Sequence, residues 1–282
     1  MKQDAFGNRI LTIGKPTTMF SCHTDTVHFQ PGMQKIVYDQ SMGLIYKDDK
    51  SPLGADDGAG IWILLKLIEA RVPGLYIFHR GEEVGGQGST WISEETPEVV
   101  KNIKRAIAFD RRGTEDVITH QSSGRCCSDT FAKALCEALD MTHKPSARGI
   151  FTDTANYTHL IPECTNVSVG YYHEHTKDEA LDLDYLRELS EKVIEVDWED
   201  LPTTREPVIE VLSSYDLFWD MCFDTPEVAA TLLELCNPSQ ELIDEAYARG
   251  KYGSNARYND RQNFYSPRRD ESFGEEDLRF EE

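Results

Sequence analysis

The 282-residue sequence lacks an apolar run long enough to cross a lipid bilayer, for which about 18 residues are needed. Its polar start, Met1-Lys2-Gln3-Asp4, is not followed by the apolar segment of a signal peptide. Positive charge is also scarce, since 29 Lys and Arg stand against 50 Asp and Glu and give a net charge of -21. Because a surface of that sign repels phosphate, the composition argues against binding to nucleic acid or to anionic membranes.

Regular cysteine motifs are absent as well. The seven cysteines include one adjacent pair, Cys126 and Cys127, which is not the CxxC spacing of zinc or redox motifs. We therefore expect mostly reduced thiols and a cytoplasmic protein. Aliphatic residues are nearly absent from 251–282, so this segment is predicted to be an acidic tail that cannot fold alone.

Strand-like and helix-like segments alternate through the first two thirds of the chain. Leu75-Tyr76-Ile77-Phe78, between two glycines, is typical of a buried strand, whereas Ile61 to Ile68 has apolar residues at helical spacing. This alternation predicts an α/β fold: a three-layer sandwich with a mixed, mostly parallel central sheet flanked by helices. The predicted divisions are a catalytic domain at 1–198, a linker at 199–215, a small helical appendage at 216–250 and the tail at 251–282.

Histidines and carboxylates follow the predicted strands or begin a helix. The carboxyl ends of parallel strands meet at one edge of a sheet, so we expect these side chains to converge there. Imidazole and carboxylate groups with an open position for water are typical of catalytic zinc sites. The residues concerned are His23 and Asp25 after Thr17–Cys22, Glu82 and Glu83 after Leu75–Phe78, Asp110 after Ile103–Phe109, His175 after Thr165–Tyr172, and Asp56 at a helix start.

Each motif taken alone has a structural explanation. Glu82 and Glu83 would suit an exposed acidic turn, His23 a hydrogen-bonded strand end, and Asp56 a helix cap. Their recurrence at one predicted edge instead favours a metal site, and the composition suits two zinc ions bridged by a carboxylate. A carboxylate that does not bind metal must then take a proton from the attacking water.

These motifs resemble those of the co-catalytic dizinc exopeptidases, which include peptidase T, the carboxypeptidase G-like enzymes and the bacterial leucyl aminopeptidases. The similarity covers about residues 6 to 197 and rests on His23-Thr24-Asp25, Leu53–Gly60, Gly81–Gly88 and Asp110. It implies two divalent cations, with Zn²⁺ expected first and Co²⁺ or Mn²⁺ as alternatives. It further implies that His23 and Asp110 bind one ion and that Glu83 and His175 bind the other. Asp56, whose peptide bond to Asp57 is often cis in this family, would bridge the two ions. Asp25 would orient His23, and Glu82 would be the general base.

The resemblance also bears on architecture and substrate. The interval between Asp110 and His175 leaves no room for the lid domain of the peptidase T branch, so the single-domain leucyl aminopeptidase branch is expected. An aminopeptidase acting on a small peptide is the first expectation, with an N-acyl amino acid deacylase or a non-catalytic binding relative as alternatives. His173 competes with His175 as a ligand. The oligomeric state is left open.

Substrate contacts are a separate question. Arg111, Arg112 and Arg125 have guanidinium groups that suit a substrate carboxylate, although ion pairing on an acidic protein explains them equally well. Asp153, in the segment Phe151–Asn156, is predicted to line the substrate pocket, with capping of a short helix as the alternative.

Overall fold

The computed structural model describes residues 1–29, 32, 35–48, 51–122, 124–207, 226–236 and 239. The chain divides into two compact units, Met1–Glu210 and Val211–Glu282. Across the described residues, no helix combines the length and apolar character that a bilayer crossing requires.

The first unit alternates strands and helices as the sequence pattern predicts. Its strands are β1 Lys2–Gln3, β2 Arg9–Ile13, β3 Thr18–His23, β4 Ile36–Asp39, β5 Leu44–Lys47, β6 Gly74–His79, β7 Arg105–Arg111, β8 Asp116–Ile118, β9 His120–Gln121, β10 Gly124–Arg125, β11 Lys144–Ser146, β12 Glu163–Ser168, β13 Tyr171–Tyr172 and β14 Ala180–Asp182. Its helices are α1 Ala55–Glu69, α2 Gln87–Glu95, α3 Asp129–Leu139 and α4 Leu183–Glu195, with short 3-10 helices at Pro97–Val100 and Asp153–Tyr157.

Eight strands form the central sheet in the order β1-β2-β6-β3-β7-β12-β8-β11. The four in the middle, β6, β3, β7 and β12, are parallel to one another. Antiparallel pairs join β2 to β6 and β12 to β8. The sheet is therefore mixed and mostly parallel at its centre, as predicted, and the carboxyl ends of its central strands share one edge.

Alternating side chains on these strands serve two separate cores. On β3, Phe20 packs into a cluster with Leu64 of α1 and Leu135 of α3, whereas Met19 packs into a second cluster with Ile92 of α2. Because successive side chains of a strand point to opposite faces, both faces of the sheet are covered. The three-layer α/β prediction is confirmed.

One predicted strand is divided in the structure. Thr165–Tyr172 was expected to be a single core strand, but β12 ends at Ser168 and β13 belongs to a separate antiparallel sheet of order β13-β14-β5-β4. The break lies at Gly170, which has φ +94° and accepts no Cβ because the ring of Tyr185 would lie 2.7 Å away. His175 therefore emerges from the small sheet and not from the central one.

The chain continues to pack on the first unit after α4. Trp198 and Leu201 are buried, and the indole Nε1 of Trp198 donates to the backbone oxygen of Val193 at 2.9 Å. The N–H groups of Thr204 and Arg205 donate to Oε1 of buried Glu163 at 2.7 and 3.0 Å. Residues 199–207, predicted to begin a linker, thus lie against the sandwich.

In the second unit the structure describes one helix, α5 Pro226–Cys236, at a position where the sequence predicts a helix. The rest of the predicted appendage, apart from residue 239, and the predicted tail at 251–282 lie outside the described residues. The proposed division into catalytic domain, linker, appendage and tail stays a prediction.

Candidate metal centre

The first group of candidate ligands lies at the carboxyl ends of β3 and β7. His23 is the last residue of β3, and its Nε2 lies 2.9 Å from Oδ1 of Asp56 and 3.5 Å from Oδ1 of Asp110. All three side chains are buried, and their ligand atoms lie within 4.8 Å of one another. This spacing would allow one cation to contact all three.

The second group contains the other oxygen of Asp56. Nε2 of His175 lies 3.1 Å from Oδ2 of Asp56 and 2.9 Å from Oε1 of Glu83. His173 is not among the residues of either group, so the structure brings in the histidine that the sequence analysis favoured. The two groups share Asp56, whose peptide bond to Asp57 is cis.

The electrostatics of the cluster suit cations. Burial raises the pKa of Asp56 to about 7, and the neighbouring charge of Asp110 adds to this effect against the opposing hydrogen bond from His23. At Asp110 burial acts in the same direction, but the charge and hydrogen bond of His23 outweigh it and lower the pKa. Carboxyl groups packed this closely repel one another when ionised, and a bound dication would relieve that repulsion.

Glu82 faces the same centre without belonging to either group. It lines a cavity of about 190 Å³ together with Asp56, Asp110 and His175. Burial raises its pKa to about 9, with further contributions from the charges of Asp110 and Asp153. Glu82 therefore adds a carboxyl group to the cavity that Asp56, Asp110 and His175 also line, and it belongs to neither candidate ligand group.

Asp25 holds the turn that carries the two glutamates. Its Oδ1 accepts hydrogen bonds from the N–H groups of Gly81 at 2.8 Å and Glu82 at 3.2 Å, and its Oδ2 accepts from that of Glu83 at 3.1 Å. The loop after β3 is thereby fastened to the loop after β6. Asp25 itself is not part of either candidate ligand group.

Several supporting residues were not predicted. Thr152 donates from Oγ1 to Oδ2 of Asp110 at 2.7 Å, and the hydroxyl of Tyr171 donates to Oδ1 at 3.2 Å. Asp57 accepts the N–H of His23 at 3.2 Å and that of Gly60 at 2.9 Å. Of these residues, Thr152 could have been suspected from the sequence, because it lies in the segment Phe151–Asn156 that contains Asp153.

The predicted substrate contacts divide into two classes. Arg111 and Arg112 line the cavity, where Arg111 pairs with Asp116 at 3.1 Å and Arg112 pairs with Glu174 at 2.8 Å. Arg125 instead donates to exposed Asp129 at 2.8 Å and is not among the residues that line the cavity.

Asp153 is likewise not among those lining residues. It is buried, with Oδ2 3.4 Å from Nδ1 of His79, and burial raises its pKa. The side chain occupies a small buried polar cluster beside the site. These placements do not support direct contact of Arg125 or Asp153 with a substrate.

Comparison with solved structures relates this architecture to peptidases. The tripeptidase from Staphylococcus aureus superposes with a TM-score of 0.57 at 16% identity, covering 69% of this chain and 86% of its own. Aminopeptidase PepT from Bacillus cereus gives 0.55 at 17% identity, covering 67% and 83%. The chain has the aminopeptidase fold. The TET1 peptidase from Pyrococcus horikoshii shares this aminopeptidase fold too, with a TM-score of 0.51 at 15% identity and coverage of 69% and 88%.

At such identities the similarity shows the fold and nothing finer. No protein-family model and no curated protein sequence matches the chain. Any activity of the chain therefore depends on the side chains that form the site.

Proposed function

We propose that the chain is a metal-dependent peptidase, an aminopeptidase of small peptides, that works at a centre of two divalent cations, with Zn²⁺ expected first. The observation that carries the proposal is the position of Asp56. Its two oxygens lie in two different histidine–carboxylate groups, 2.9 Å from His23 and 3.1 Å from His175. A shared carboxylate is the arrangement that two-metal hydrolases use.

The donor set fits this assignment. His23, Asp56 and Asp110 would hold one ion, and Asp56, Glu83 and His175 would hold the other. Imidazole and carboxylate donors of this kind suit Zn²⁺, Co²⁺ or Mn²⁺, and no cysteine belongs to either group. When bound, such ions polarise a carbonyl group and lower the pKa of a coordinated water.

Glu82 would then serve as the general base. Its pKa is about 9 because burial and neighbouring carboxylates disfavour ionisation. With cations held by the neighbouring ligand groups, the carboxylate form of Glu82 would be favoured, because a nearby positive charge lowers the pKa of a carboxyl group. Glu82 can then accept one proton from the attacking water at a carboxylate oxygen and return it to the amine that leaves, which restores the carboxylate.

The cavity supports a small substrate. Its volume of about 190 Å³ is modest, and apolar Ile118, Ile150 and Phe151 line it beside Arg112, which is about half exposed at 52%. A guanidinium group at that position can bind the carboxylate of a short peptide. An N-acyl amino acid also carries a carboxylate, so the alternative deacylase activity needs a direct test.

The test compares wild type with Glu82→Gln and Glu82→Ala after incubation with Zn²⁺, Co²⁺ or Mn²⁺. Dipeptides and tripeptides with free amino termini are assayed beside N-acetyl amino acids, and metal content is measured on the same samples. We expect both variants to keep their metal while kcat falls by about 10²- to 10⁴-fold, the usual contribution of a general base. Glu94→Gln, on an exposed part of α2, is the matched control and should behave as wild type.

Three outcomes would count against the proposal. A chain that takes up no metal after reconstitution would contradict the metal centre, and Glu82 variants with normal turnover would contradict the assigned base. Cleavage of N-acetyl amino acids alone would replace the aminopeptidase with the deacylase.

A further inference from the structure

Glu179 is a buried carboxyl group that the proposed reaction does not use. It is 2% exposed, and its oxygens accept three backbone hydrogen bonds from the segment that precedes and begins α1. Oε2 accepts the N–H groups of Leu53 at 2.7 Å and Gly54 at 3.1 Å, and Oε1 accepts that of Asp56 at 3.1 Å. The carboxyl group therefore holds the backbone of the shared ligand itself.

The other end of Glu179 is fixed to the loop that carries His175. The N–H of Glu179 donates to the backbone oxygen of Thr176 at 3.3 Å, and Oγ1 of Thr176 donates to that of His173 at 2.7 Å. The next residue, Ala180, begins β14 and pairs with Tyr46 of β5. Glu179 thus lies between a hydrogen-bonded turn and a strand, and both limit its movement.

His175 needs such support more than the other candidate ligands. Its φ of +63° lies in the left-handed region, which is uncommon for a residue other than glycine. Its side chain is 43% exposed, whereas that of His23 is 1% exposed. An unusual backbone conformation at an exposed position persists only when the surrounding structure determines it.

We propose that Glu179 is a positioning residue that couples the His175 loop to Asp56 and so sets the affinity of the second metal position. The inference rests on the proposed function, since it assigns how one of the two positions is held. Without the carboxyl group, the N–H groups of Leu53, Gly54 and Asp56 lose their acceptor. Among the described residues, no other backbone contact holds Asp56 to the His175 loop. Asp56, Glu83 and His175 would then no longer be kept at their mutual distances.

Two of the three candidate ligands of the first metal position, His23 and Asp110, have separate supports, so this position should be less affected although it shares Asp56. The N–H of Asp110 donates to Oδ1 of Asn166 at 2.9 Å, and Thr152 donates to the Asp110 carboxylate at 2.7 Å. His23 is held through its Nδ1 by the backbone oxygen of Asp25 at 2.8 Å. Selective weakening of one position is therefore the signature expected of Glu179.

The chain offers a matched control for the loss of a buried acceptor. Glu163 is also buried, and it accepts the backbone N–H groups of Ser128, Thr204 and Arg205 at 2.7, 2.7 and 3.0 Å. It belongs to neither candidate ligand group and does not line the cavity. Glu163→Ala and Glu179→Ala thus remove the same kind of group, and only the second lies at the proposed centre.

The experiment is a Zn²⁺ titration of the metal-free full chain against a chromophoric chelator, with circular dichroism and thermal melting on the same samples. Wild type should bind about two ions per chain, as a two-metal site requires. Glu179→Ala should bind the second ion roughly 10- to 100-fold more weakly, the range found when a group supporting a ligand is removed, and the first ion within about threefold. Glu179→Gln, which keeps one carbonyl acceptor, should fall between, and Glu163→Ala should bind both ions as wild type does.

Three other results would contradict the positioning role or the proposed function. If Glu179→Ala binds both ions within about twofold of wild type, the positioning role is wrong while the metal centre stands. If Glu163→Ala weakens metal binding equally, or if both Glu179 variants fail to fold, the role is structural and the proposal is overturned. If wild type binds no metal, the proposed function itself fails, and this inference fails with it.

Discussion

Nδ1 of His23 lies 2.8 Å from the backbone oxygen of Asp25 but 3.7 Å from the nearer carboxylate oxygen of the same residue. The family resemblance implies that Asp25 orients His23, and the structure assigns that contact to the main chain. The carboxylate is occupied with three N–H groups of the Gly81–Glu83 turn. Asp25 therefore holds His23 with its backbone oxygen and the Gly81–Glu83 turn with its carboxylate.

This division predicts a specific effect of Asp25→Ala. The backbone oxygen remains, so His23 should keep its orientation and the first metal position its affinity. The Glu82–Glu83 turn loses its acceptor, so kcat should fall by roughly 10- to 100-fold, as is common when a supporting hydrogen bond is lost. Steady-state kinetics and Zn²⁺ titration on the same preparation check both parts. Loss of affinity at the first position with normal turnover would show that the carboxylate orients His23 after all.

Thr152→Val removes a hydrogen bond to Asp110 while nearly preserving side-chain volume. The lost contact is 2.7 Å long and buried, and a hydrogen bond to a charged group is worth about 1.5–3 kcal/mol. We expect Zn²⁺ affinity at the first position to fall about tenfold or more, since about 1.4 kcal/mol corresponds to a factor of ten. The control is Thr154→Val in the short helix that Thr152 precedes, where the hydroxyl donates to the backbone oxygen of Thr165 instead. Equal effects of the two substitutions on affinity would contradict a special role for Thr152.

Two glycines of the Leu53–Gly60 segment should respond oppositely to substitution by alanine. Gly58 is exposed and has open space where a Cβ would lie, so Gly58→Ala should stabilise the helix by about 0.5–1 kcal/mol. A Cβ on Gly60 would lie 2.2 Å from the backbone oxygen of Phe109 and 2.4 Å from Oδ2 of Asp57. Gly60→Ala should therefore destabilise the fold by at least about 1–3 kcal/mol. Urea unfolding of the two variants measures the difference, and a neutral Gly60→Ala would contradict the close packing.

Acid should destabilise the fold in part through His143. Burial lowers the pKa of His143 below its usual 6.5, and its Nε2 contacts the hydroxyl of Tyr185 at 2.8 Å. Between the lowered folded pKa and 6.5 the unfolded chain binds more protons, so stability rises with pH in that window. The contribution is complete above about pH 6.5 and is lost as pH falls, with a slope of at most about 1.4 kcal/mol per pH unit for one proton.

The measurement is the urea unfolding free energy of wild type and His143→Gln between pH 5 and pH 7.5. The variant should lose this part of the slope, while His159→Gln, at an exposed position, should keep it. An identical pH slope in His143→Gln and wild type would exclude His143 as the source.

The five candidate ligands could be found from sequence because strand ends converge for a general reason. Apolar runs identified β3, β6 and β7, and parallel strands bring their carboxyl ends to one edge. His23, Glu83 and Asp110 follow directly from that rule, and Asp56 from its place at a helix start. His175 was found for a partly wrong reason, since it follows β13 of the small sheet and not a central strand.

The supporting contacts could not be found in the same way. Glu179 and Leu53 are 126 positions apart, and their contact depends on how the segments that carry them meet in the fold. No periodicity or strand-end pattern records such a meeting. The contact between His23 and the Asp25 backbone was missed for a related reason, because a residue motif indicates side chains and not which main-chain atom lies nearer.

The most direct test of a shared metal centre is the number of Zn²⁺ ions bound by the purified, reconstituted chain and by two single variants. Wild type should bind about two ions, Asp110→Ala about one, and Asp56→Ala neither with appreciable affinity, because Asp56 alone belongs to both groups. A wild-type chain with less than about half an ion, or an Asp56→Ala variant that keeps one ion at wild-type affinity, would contradict the account.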